Sequence, residues 1–128
     1  MMKILLISID QTIKFFTEKN YQNPEYQFIT FNSTTDPLDI MSQICCVNPS
    51  ILILDDDFIT PNSIRLLKSI KKVNPKLTII FITSNTSLEL GREIYSIGVK
   101  FYIMKPILEN EFKEFLSSAN KCVEEYKY

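Results

Sequence analysis

Five short runs of apolar and β-branched residues are spaced along the chain, and we predict a β-strand at each of them. The first, third and fourth runs are apolar almost without alternation, which is typical of strands that are buried on both faces of a sheet. The runs are KILLIS (3–8), YQFITF (26–31), SILILD (50–55), LTIIFITS (77–84) and FYIMK (101–105).

The segments between these runs carry apolar residues at helical spacing. Asp36 before Pro37 predicts an N-cap and the first residue of a helix, and Ile13 with Phe16 indicates a shorter helix earlier in the chain. Since strand and helix alternate throughout, we predict an α/β fold, a doubly wound five-stranded parallel sheet of order 2-1-3-4-5 with helices on both faces, in one domain over residues 1–128. The other predicted helix faces are Leu66, Leu67, Ile70 and Val73; Leu90, Ile94 and Ile97; and Phe112, Phe115, Leu116, Ala119, Cys122, Val123 and Tyr126.

The predicted strands are apolar, but polar residues stand where they end. Asp10 follows the first strand, Asp55 ends the third, Thr83 is near the end of the fourth and Lys105 ends the fifth. Taken singly, each has an ordinary explanation as a cap, a strand-end residue or a solvated residue. In a parallel sheet, however, the carboxyl ends of the strands share one edge, where ligands bind. A carboxylate, a hydroxyl and an ammonium that meet there suit a phosphoryl group bound to the carboxylate.

Composition removes several other functions. The chain has no histidine, which excludes Ser-His and Cys-His catalysis and histidine-ligated zinc within it, and its two glycines form neither a GxGxxG turn nor a P-loop. A net charge of −1 predicts no direct binding of nucleic acid, and no segment approaches the ~20 apolar residues of a membrane span. The three cysteines predict reduced thiols packed as small hydrophobic side chains, and without a secretion signal we expect a cytoplasmic protein.

Three segments carry a resemblance to a known family. They are PSILILD, which ends in Asp55, IIFITS with Thr83, and GVKFYIMKP with Tyr102, Lys105 and Pro106. Because of these three segments and the spacing between them along the chain, the protein resembles the response-regulator receiver domain of two-component signalling. The resemblance implies a flavodoxin-like fold in which Asp55 accepts phosphate from a histidine kinase, and Thr83 and Lys105 contact that phosphate. It also implies that Tyr102 swings inward when the Thr83 hydroxyl moves toward the phosphate, and that the peptide bond before Pro106 is cis.

One departure from the family concerns the metal. The family usually has two adjacent acidic residues after the first strand, which hold Mg²⁺, and here Ser8 and Ile9 stand at those positions with Asp10 one place later. Mg²⁺ needs only one or two carboxylates besides water. Asp10 and Asp55, assisted by Asp57, are therefore the expected ligands if Mg²⁺ binds. Asp10 is equally well interpreted as the N-cap of the first helix.

Two further departures affect the surface. Asp56 stands where the family generally has an apolar residue, and we expect it to be solvated because the chain leaves the sheet there. Family members that form a charge-paired homodimer often carry an acidic pair where this sequence has Lys100 and Phe101. The sequence therefore does not decide whether the protein forms a homodimer. Phe101, Tyr102 and Tyr95 are interpreted as an aromatic patch for protein contact or as core residues.

The leading interpretation is a phosphoacceptor receiver that passes a signal to a downstream effector protein or domain. Such a chain is not an enzyme with a separate substrate, and catalyses at most its own phosphorylation and dephosphorylation. An alternative is a pseudo-receiver, an interaction module that has kept the fold and lost the switch, which Ser8 and Ile9 favour. A flavodoxin-like cofactor carrier is a third interpretation, which the absence of tryptophan and of a glycine after the first strand disfavours.

Overall fold

The structure, a computed structural model, describes residues 2–20 and 23–125. Within these residues a parallel sheet has the strand order β2-β1-β3-β4-β5, and each strand lies within one residue of its predicted bounds. The doubly wound, flavodoxin-like architecture is therefore confirmed. The strands are β1 (Met2–Ile7), β2 (Tyr26–Phe31), β3 (Ile51–Asp55), β4 (Thr78–Thr83) and β5 (Phe101–Met104).

Helices cover both faces of this sheet. They are α1 (Gln11–Lys19), α2 (Pro37–Val47), α3 (Asp56–Ile59), α4 (Ser63–Val73), α5 (Leu88–Ile97) and α6 (Glu109–Glu125). Ile13 of α1 and Leu116 of α6 enter one hydrophobic core, whereas Ile40 of α2, Leu67 of α4 and Ile94 of α5 enter the other. Among the described helices, none combines the length and the apolar character that crossing a bilayer requires.

The central strands are apolar on both faces because consecutive side chains enter different cores. On β1, Leu5 and Ile7 join the core beneath α2, α4 and α5, while Ile4 and Leu6 join the core beneath α1 and α6. All four side chains are essentially inaccessible to solvent. Each such burial contributes about 1.5–3 kcal/mol, so the near-continuous apolar pattern of β1, β3 and β4 follows from their central positions.

Helix ends follow local chemistry where the sequence predicts them. Asp36 is the N-cap of α2 and accepts a hydrogen bond from the amide of Leu38 at 3.0 Å, with Pro37 as the first helical residue. Gly98 ends α5 in the left-handed conformation, with φ at 103°, where a side chain would be strained.

Three predictions about helices are corrected or lie outside the described residues. Val73 is 63% exposed, because it is the last residue of α4 and lies past the buried face of that helix. Cys45 and Cys46 are exposed rather than packed, because the buried side of α2 faces the sheet through Ile40 and Ile44. Tyr126 lies outside the described residues.

The carboxyl ends of β1, β3, β4 and β5 form one edge of the sheet. In the parallel register Ile7 pairs with Leu54, and Asp55 pairs with Ile82. The register therefore brings Ser8, the residue after β1, level with Asp55, and brings Thr83 one residue further along, level with Asp56. The short helix α3, which the sequence does not predict, begins directly at this edge.

Candidate functional site

Four charged side chains meet at this edge of the sheet. Lys105 Nζ lies 2.9 Å from Asp10 Oδ2, 3.1 Å from Asp55 Oδ1 and 2.9 Å from Asp57 Oδ2. We call these four residues the ammonium cluster. Burial acts to lower the pKa of Lys105, but its hydrogen bonds to the three carboxylates outweigh burial and raise that pKa above its ordinary value of 10.5. The lysine is therefore a permanent cation in this cluster.

Asp55 is the most buried member of the ammonium cluster, with a side chain that is 2% exposed. Its Oδ2 accepts a hydrogen bond from Ser8 Oγ at 2.6 Å, and its Oδ1 accepts one from the amide of Asp57 at 3.2 Å, which caps α3. Ser8 Oγ in turn accepts a hydrogen bond from the amide of Asp10 at 2.9 Å. The sequence alone marks Ser8 only as the loss of an acidic residue; the pairing of β1 with β3 is the signal that places it beside Asp55.

Asp10 caps the first helix and also reaches the ammonium cluster, so the two interpretations of this residue do not exclude each other. Its Oδ1 accepts hydrogen bonds from the amides of Thr12 and Ile13 as the N-cap of α1, and its Oδ2 contacts Lys105. Burial acts to raise the pKa of Asp10, but the hydrogen bonds from Lys105 and from the two amides lower it overall.

Asp57 is the most exposed carboxylate of the ammonium cluster. Besides Lys105, it contacts Ser84, whose Oγ donates to Asp57 Oδ1 at 2.7 Å. Burial acts to raise the pKa of Asp57, whereas the hydrogen bonds from Ser84 and Lys105 lower it overall. Asp57 therefore links the loop after β3 to the loop after β4.

Asp56 is not solvated, and that prediction is wrong. Only 5% of the residue is exposed, and its carboxylate accepts hydrogen bonds from Thr83 Oγ1 at 2.6 Å and from Ser63 Oγ. The chain leaves the sheet at this point, as predicted, but it turns at once into α3, which directs the Asp56 side chain inward between β4 and the start of α4. We call Asp56, Ser63 and Thr83 the hydroxyl cluster.

Thr83 is brought to Asp56 rather than to Asp55. The residue is fully buried, and its hydroxyl donates to Asp56 Oδ2 and accepts from the amide of Asn85 at 3.0 Å. The sequence places Thr83 at the correct edge of the sheet, but it does not show which of the two neighbouring carboxylates the hydroxyl meets.

Tyr102 stacks on Phe81 with ring centroids 5.7 Å apart, and its hydroxyl is buried without a hydrogen-bond partner among the described residues. Burial and the charge of Asp56 both raise its pKa. Of the predicted aromatic patch, Tyr95 is 78% exposed, whereas the Phe101 ring packs edge-on against Phe115. The three aromatic side chains therefore do not form one exposed patch.

The peptide bond between Lys105 and Pro106 is cis. The amide of Lys105 donates to the carbonyl oxygen of Thr83 at 2.8 Å. An open hollow of about 420 Å³ lies beside the cis peptide bond. It is lined by Asp10, Thr12, Ile13, Ser84, Lys105, Pro106 and Ile107. The ammonium cluster is thus reachable from solvent through the Asp10 and Lys105 side chains.

Comparison with known proteins identifies the family. A sequence profile of the response regulator receiver domain matches residues 4–117. The chain belongs to this family. The receiver-domain resemblance seen in the sequence and the CheY-like form of the fold are therefore confirmed.

Several receiver domains of known structure or function are similar to this chain. NtrC of Klebsiella pneumoniae, a DNA-binding transcriptional regulator, is 23% identical over 122 residues, which are 95% of this chain and 25% of that protein. NtrX from Brucella abortus shares 18% identity with a TM-score of 0.78 over 98% of this chain and 28% of that one. A CheY-like receiver domain from Methanospirillum hungatei JF-1 shares 20% identity with a TM-score of 0.78, covering 98% of both chains. This chain thus spans about a quarter of the NtrC and NtrX chains.

Receiver domains generally bind Mg²⁺ through acidic residues, and the ammonium cluster has the corresponding oxygen donors. Carboxylates of Asp10, Asp55 and Asp57 are the ligand type that Mg²⁺ prefers, and all three point at one position. That position holds the ammonium of Lys105, and across residues 2–20 and 23–125 no group of three or more acidic or cysteine side chains is arranged so that it could hold a metal ion. The donor chemistry fits Mg²⁺, provided that Lys105 moves aside.

Proposed function

We propose that this chain is a phosphoacceptor receiver domain, in which Asp55 accepts a phosphoryl group from a histidine kinase. The observation that supports this most is the pair of contacts to the Asp55 carboxylate, from Ser8 Oγ at 2.6 Å and from Lys105 Nζ at 3.1 Å. A phosphoryl group on Asp55 carries more negative charge than the carboxylate it replaces. A hydroxyl donor and a permanent cation beside it are the groups that such a charge needs.

The chemistry is one in-line transfer. An oxygen of the Asp55 carboxylate attacks the phosphorus of a phosphohistidine on the kinase, the new O–P bond forms as the P–N bond breaks, and the leaving ring nitrogen takes up a proton from water. Lys105 then neutralises charge on the transferred oxygens. Mg²⁺, when held by Asp10, Asp55 and Asp57, adds further neutralisation of the same charge. Because Asp55 is only 2% exposed, Lys105 must swing outward before the phosphorus can approach.

The proposed output is a change in the loops after β4 and β5. A phosphoryl group on Asp55 attracts Thr83 and Lys105, which stand at the starts of these two loops. We infer that a downstream effector protein or domain reads this change, without direct contact of this chain with nucleic acid. NtrC is a DNA-binding regulator, but this chain spans only a quarter of it. A cytoplasmic location and a homodimer stay predictions.

One observation favours a second function, a phosphorylation-independent pseudo-receiver. The ammonium of Lys105 lies where three carboxylates converge, and Ser8 replaces an acidic residue beside it. In this alternative the ammonium cluster is a permanent structural ion-pair network, and partner binding does not depend on Asp55.

Phosphorylation by a small donor separates the two functions. The protein is incubated with Mg²⁺ and acetyl phosphate, and intact-mass spectrometry follows the addition of one phosphoryl group. We expect addition to the wild type and to Asp39→Asn, a control carboxylate that is exposed on α2 outside the ammonium cluster, and no addition to Asp55→Asn. A wild type that stays unmodified under conditions that modify another receiver domain supports the pseudo-receiver. Addition to Asp55→Asn contradicts Asp55 as the acceptor.

A further inference from the structure

We propose that Asp56 is a positioning residue that holds the Thr83 hydroxyl in the resting state, away from Asp55, and so sets how readily the receiver switches. This inference rests on the proposed function, because Thr83 acts on a phosphoryl group only if Asp55 carries one. Asp56 directly follows Asp55 in the chain, yet its carboxylate belongs to the hydroxyl cluster and not to the ammonium cluster.

The hydrogen-bonding capacity of Thr83 is taken up in the resting structure. A threonine hydroxyl has one proton to donate, and Thr83 donates it to Asp56 Oδ2 at 2.6 Å. The hydroxyl oxygen of Thr83 in turn accepts a hydrogen bond from the amide of Asn85 at 3.0 Å. The hydroxyl is fully buried, so water does not compete for it. Thr83 can therefore donate to a phosphoryl oxygen only after it has left Asp56.

The departure of Thr83 has a definite consequence for Asp56. The carboxylate is 5% exposed and has two hydrogen-bond donors, Thr83 and Ser63. When Thr83 leaves, one oxygen of a buried carboxylate loses its donor, which is unfavourable because water cannot replace it. The Thr83–Asp56 bond thus opposes switching, and we expect it to weaken the response to a phosphate mimic by about tenfold.

Tyr102 is a second hydroxyl-bearing residue that the charge of Asp56 affects. Its hydroxyl is buried and has no hydrogen-bond partner within residues 2–20 and 23–125. Besides burial, the charge of Asp56 acts on this hydroxyl and raises the pKa of Tyr102. Asp56 therefore acts on Tyr102 through its charge, while it holds Thr83 by a hydrogen bond.

A merely structural role for Asp56 is the competing explanation, because Asp56 also joins α3 to Ser63 at the start of α4. Ser63→Ala is the matched control, since it removes the structural partner of Asp56 and leaves the Thr83–Asp56 bond in place. Asp56→Asn removes the charge and one of the two acceptor oxygens with almost no change in volume, so the Ser63 and Thr83 hydroxyls must compete for a single acceptor. The two variants separate loosening of α4 from release of Thr83.

The test follows the Thr83 methyl signal by nuclear magnetic resonance during titration with beryllofluoride, a phosphate mimic. We expect Asp56→Asn to bind beryllofluoride about tenfold more tightly than the wild type, and its Thr83 signal to shift toward the bound position before any mimic is added. Ser63→Ala should melt at a lower temperature without tighter binding and without that early shift. Equal affinity and an unshifted Thr83 signal in Asp56→Asn would overturn the proposal.

Two results keep this test separate from the proposed function. A wild type that binds no beryllofluoride contradicts the phosphoacceptor function, while a difference in the Thr83 methyl signal between the mimic-free Asp56→Asn protein and the mimic-free wild type still tests whether Asp56 holds Thr83. If Asp56→Asn does not fold, the wild type serves instead. A scalar coupling between the Thr83 hydroxyl proton and the Asp56 carboxyl carbon, present in the resting protein and lost with beryllofluoride, supports the proposal. Its persistence with beryllofluoride bound contradicts the proposal.

Discussion

Asp55 and Asp56 are neighbours in the chain, but their carboxylates are stabilised in opposite ways. In the ammonium cluster, Asp55 shares one lysine cation with two other carboxylates, and the other three members of the cluster remain partly open to solvent. In the hydroxyl cluster, Asp56 is stabilised by neutral hydroxyl donors and closed off from water. The difference shows that the first cluster is suited to exchange ligands, whereas the second is suited to hold one arrangement.

The two clusters also respond differently to the loss of one member. Removing the cation from the ammonium cluster leaves like charges facing one another, while water and metal ions can still enter. Removing a donor from the hydroxyl cluster leaves an unpaired oxygen that water cannot reach. Four experiments test this contrast.

The largest effect on stability is expected from Lys105→Met. Without the ammonium, three carboxylates repel one another, and we expect the free energy of unfolding to fall by about 2 kcal/mol, less than for a fully buried ion pair because Asp10 and Asp57 are partly exposed. Added Mg²⁺ should raise the melting temperature of this variant more than that of the wild type, because the vacated position has three oxygen ligands. Urea unfolding and thermal melting measure both effects.

The control for Lys105→Met is Lys19→Met. Lys19 forms a surface ion pair with Glu109 at 3.1 Å, and such pairs contribute little. An equal Mg²⁺ response in the wild type and in Lys105→Met would show that the carboxylates do not form a metal position.

A somewhat smaller effect is expected from Thr83→Val. The substitution keeps the shape and removes the hydroxyl, so Asp56 retains only Ser63 as a donor, and the free energy of unfolding should fall by about 1–2 kcal/mol. Thr83→Ser is the matched control, since it keeps the hydroxyl and loses one methyl group, about 0.8 kcal/mol. If chemical denaturation finds the valine variant as stable as the serine variant, the buried hydrogen bond does not stabilise the hydroxyl cluster.

Ser8→Ala should have a smaller effect still, about 1 kcal/mol or less. Asp55 loses one donor but keeps Lys105 and the amide of Asp57, and water can approach through the partly open cluster. Ser96→Ala, which removes an exposed hydroxyl on α5, controls for the loss of any serine. If the free energy of unfolding falls much further in Ser8→Ala than in Thr83→Val, the contrast between the two clusters is the reverse of the one proposed.

The smallest effect is the acid dependence of the ammonium cluster. The pKa values of Asp10 and Asp57 lie below the ordinary value of 3.8. Their contribution to stability is therefore fully present above pH 3.8 and is lost as the pH falls through the lowered values of the folded state. Because both groups are partly exposed, we expect less than about 1 kcal/mol from each. Urea unfolding of the wild type and Asp10→Asn below pH 5 measures this, and parallel curves for the two proteins would argue against it.

Much of the fold follows from local pattern. The apolar runs, the Asp36–Pro37 helix start and the placement of polar residues at strand ends each depend on neighbours in sequence, and the structure has the strands within one residue of those runs. The placement of Asp55, Thr83 and Lys105 at one edge of the sheet also follows, since the carboxyl ends of parallel strands share an edge.

The environments of Ser8 and Asp56 do not follow from local pattern. Local pattern marks Ser8 only as a polar residue after a strand, and only the pairing of β1 with β3 shows that its hydroxyl meets Asp55. Asp56 directly follows a strand, and its local sequence predicts a solvated loop residue. Nothing in that local sequence shows that α3 begins at Asp56.

The sequence by itself therefore determined the order of elements, the strand that carries Asp55 and the edge at which its chemistry lies, because periodicity and strand direction are local properties. Only the tertiary structure decided that Thr83 hydrogen-bonds to Asp56 and that Lys105 stands among three carboxylates. Those choices depend on distances of a few ångströms between side chains from different strands, and a carboxylate's partner is selected by burial and geometry that no single segment contains.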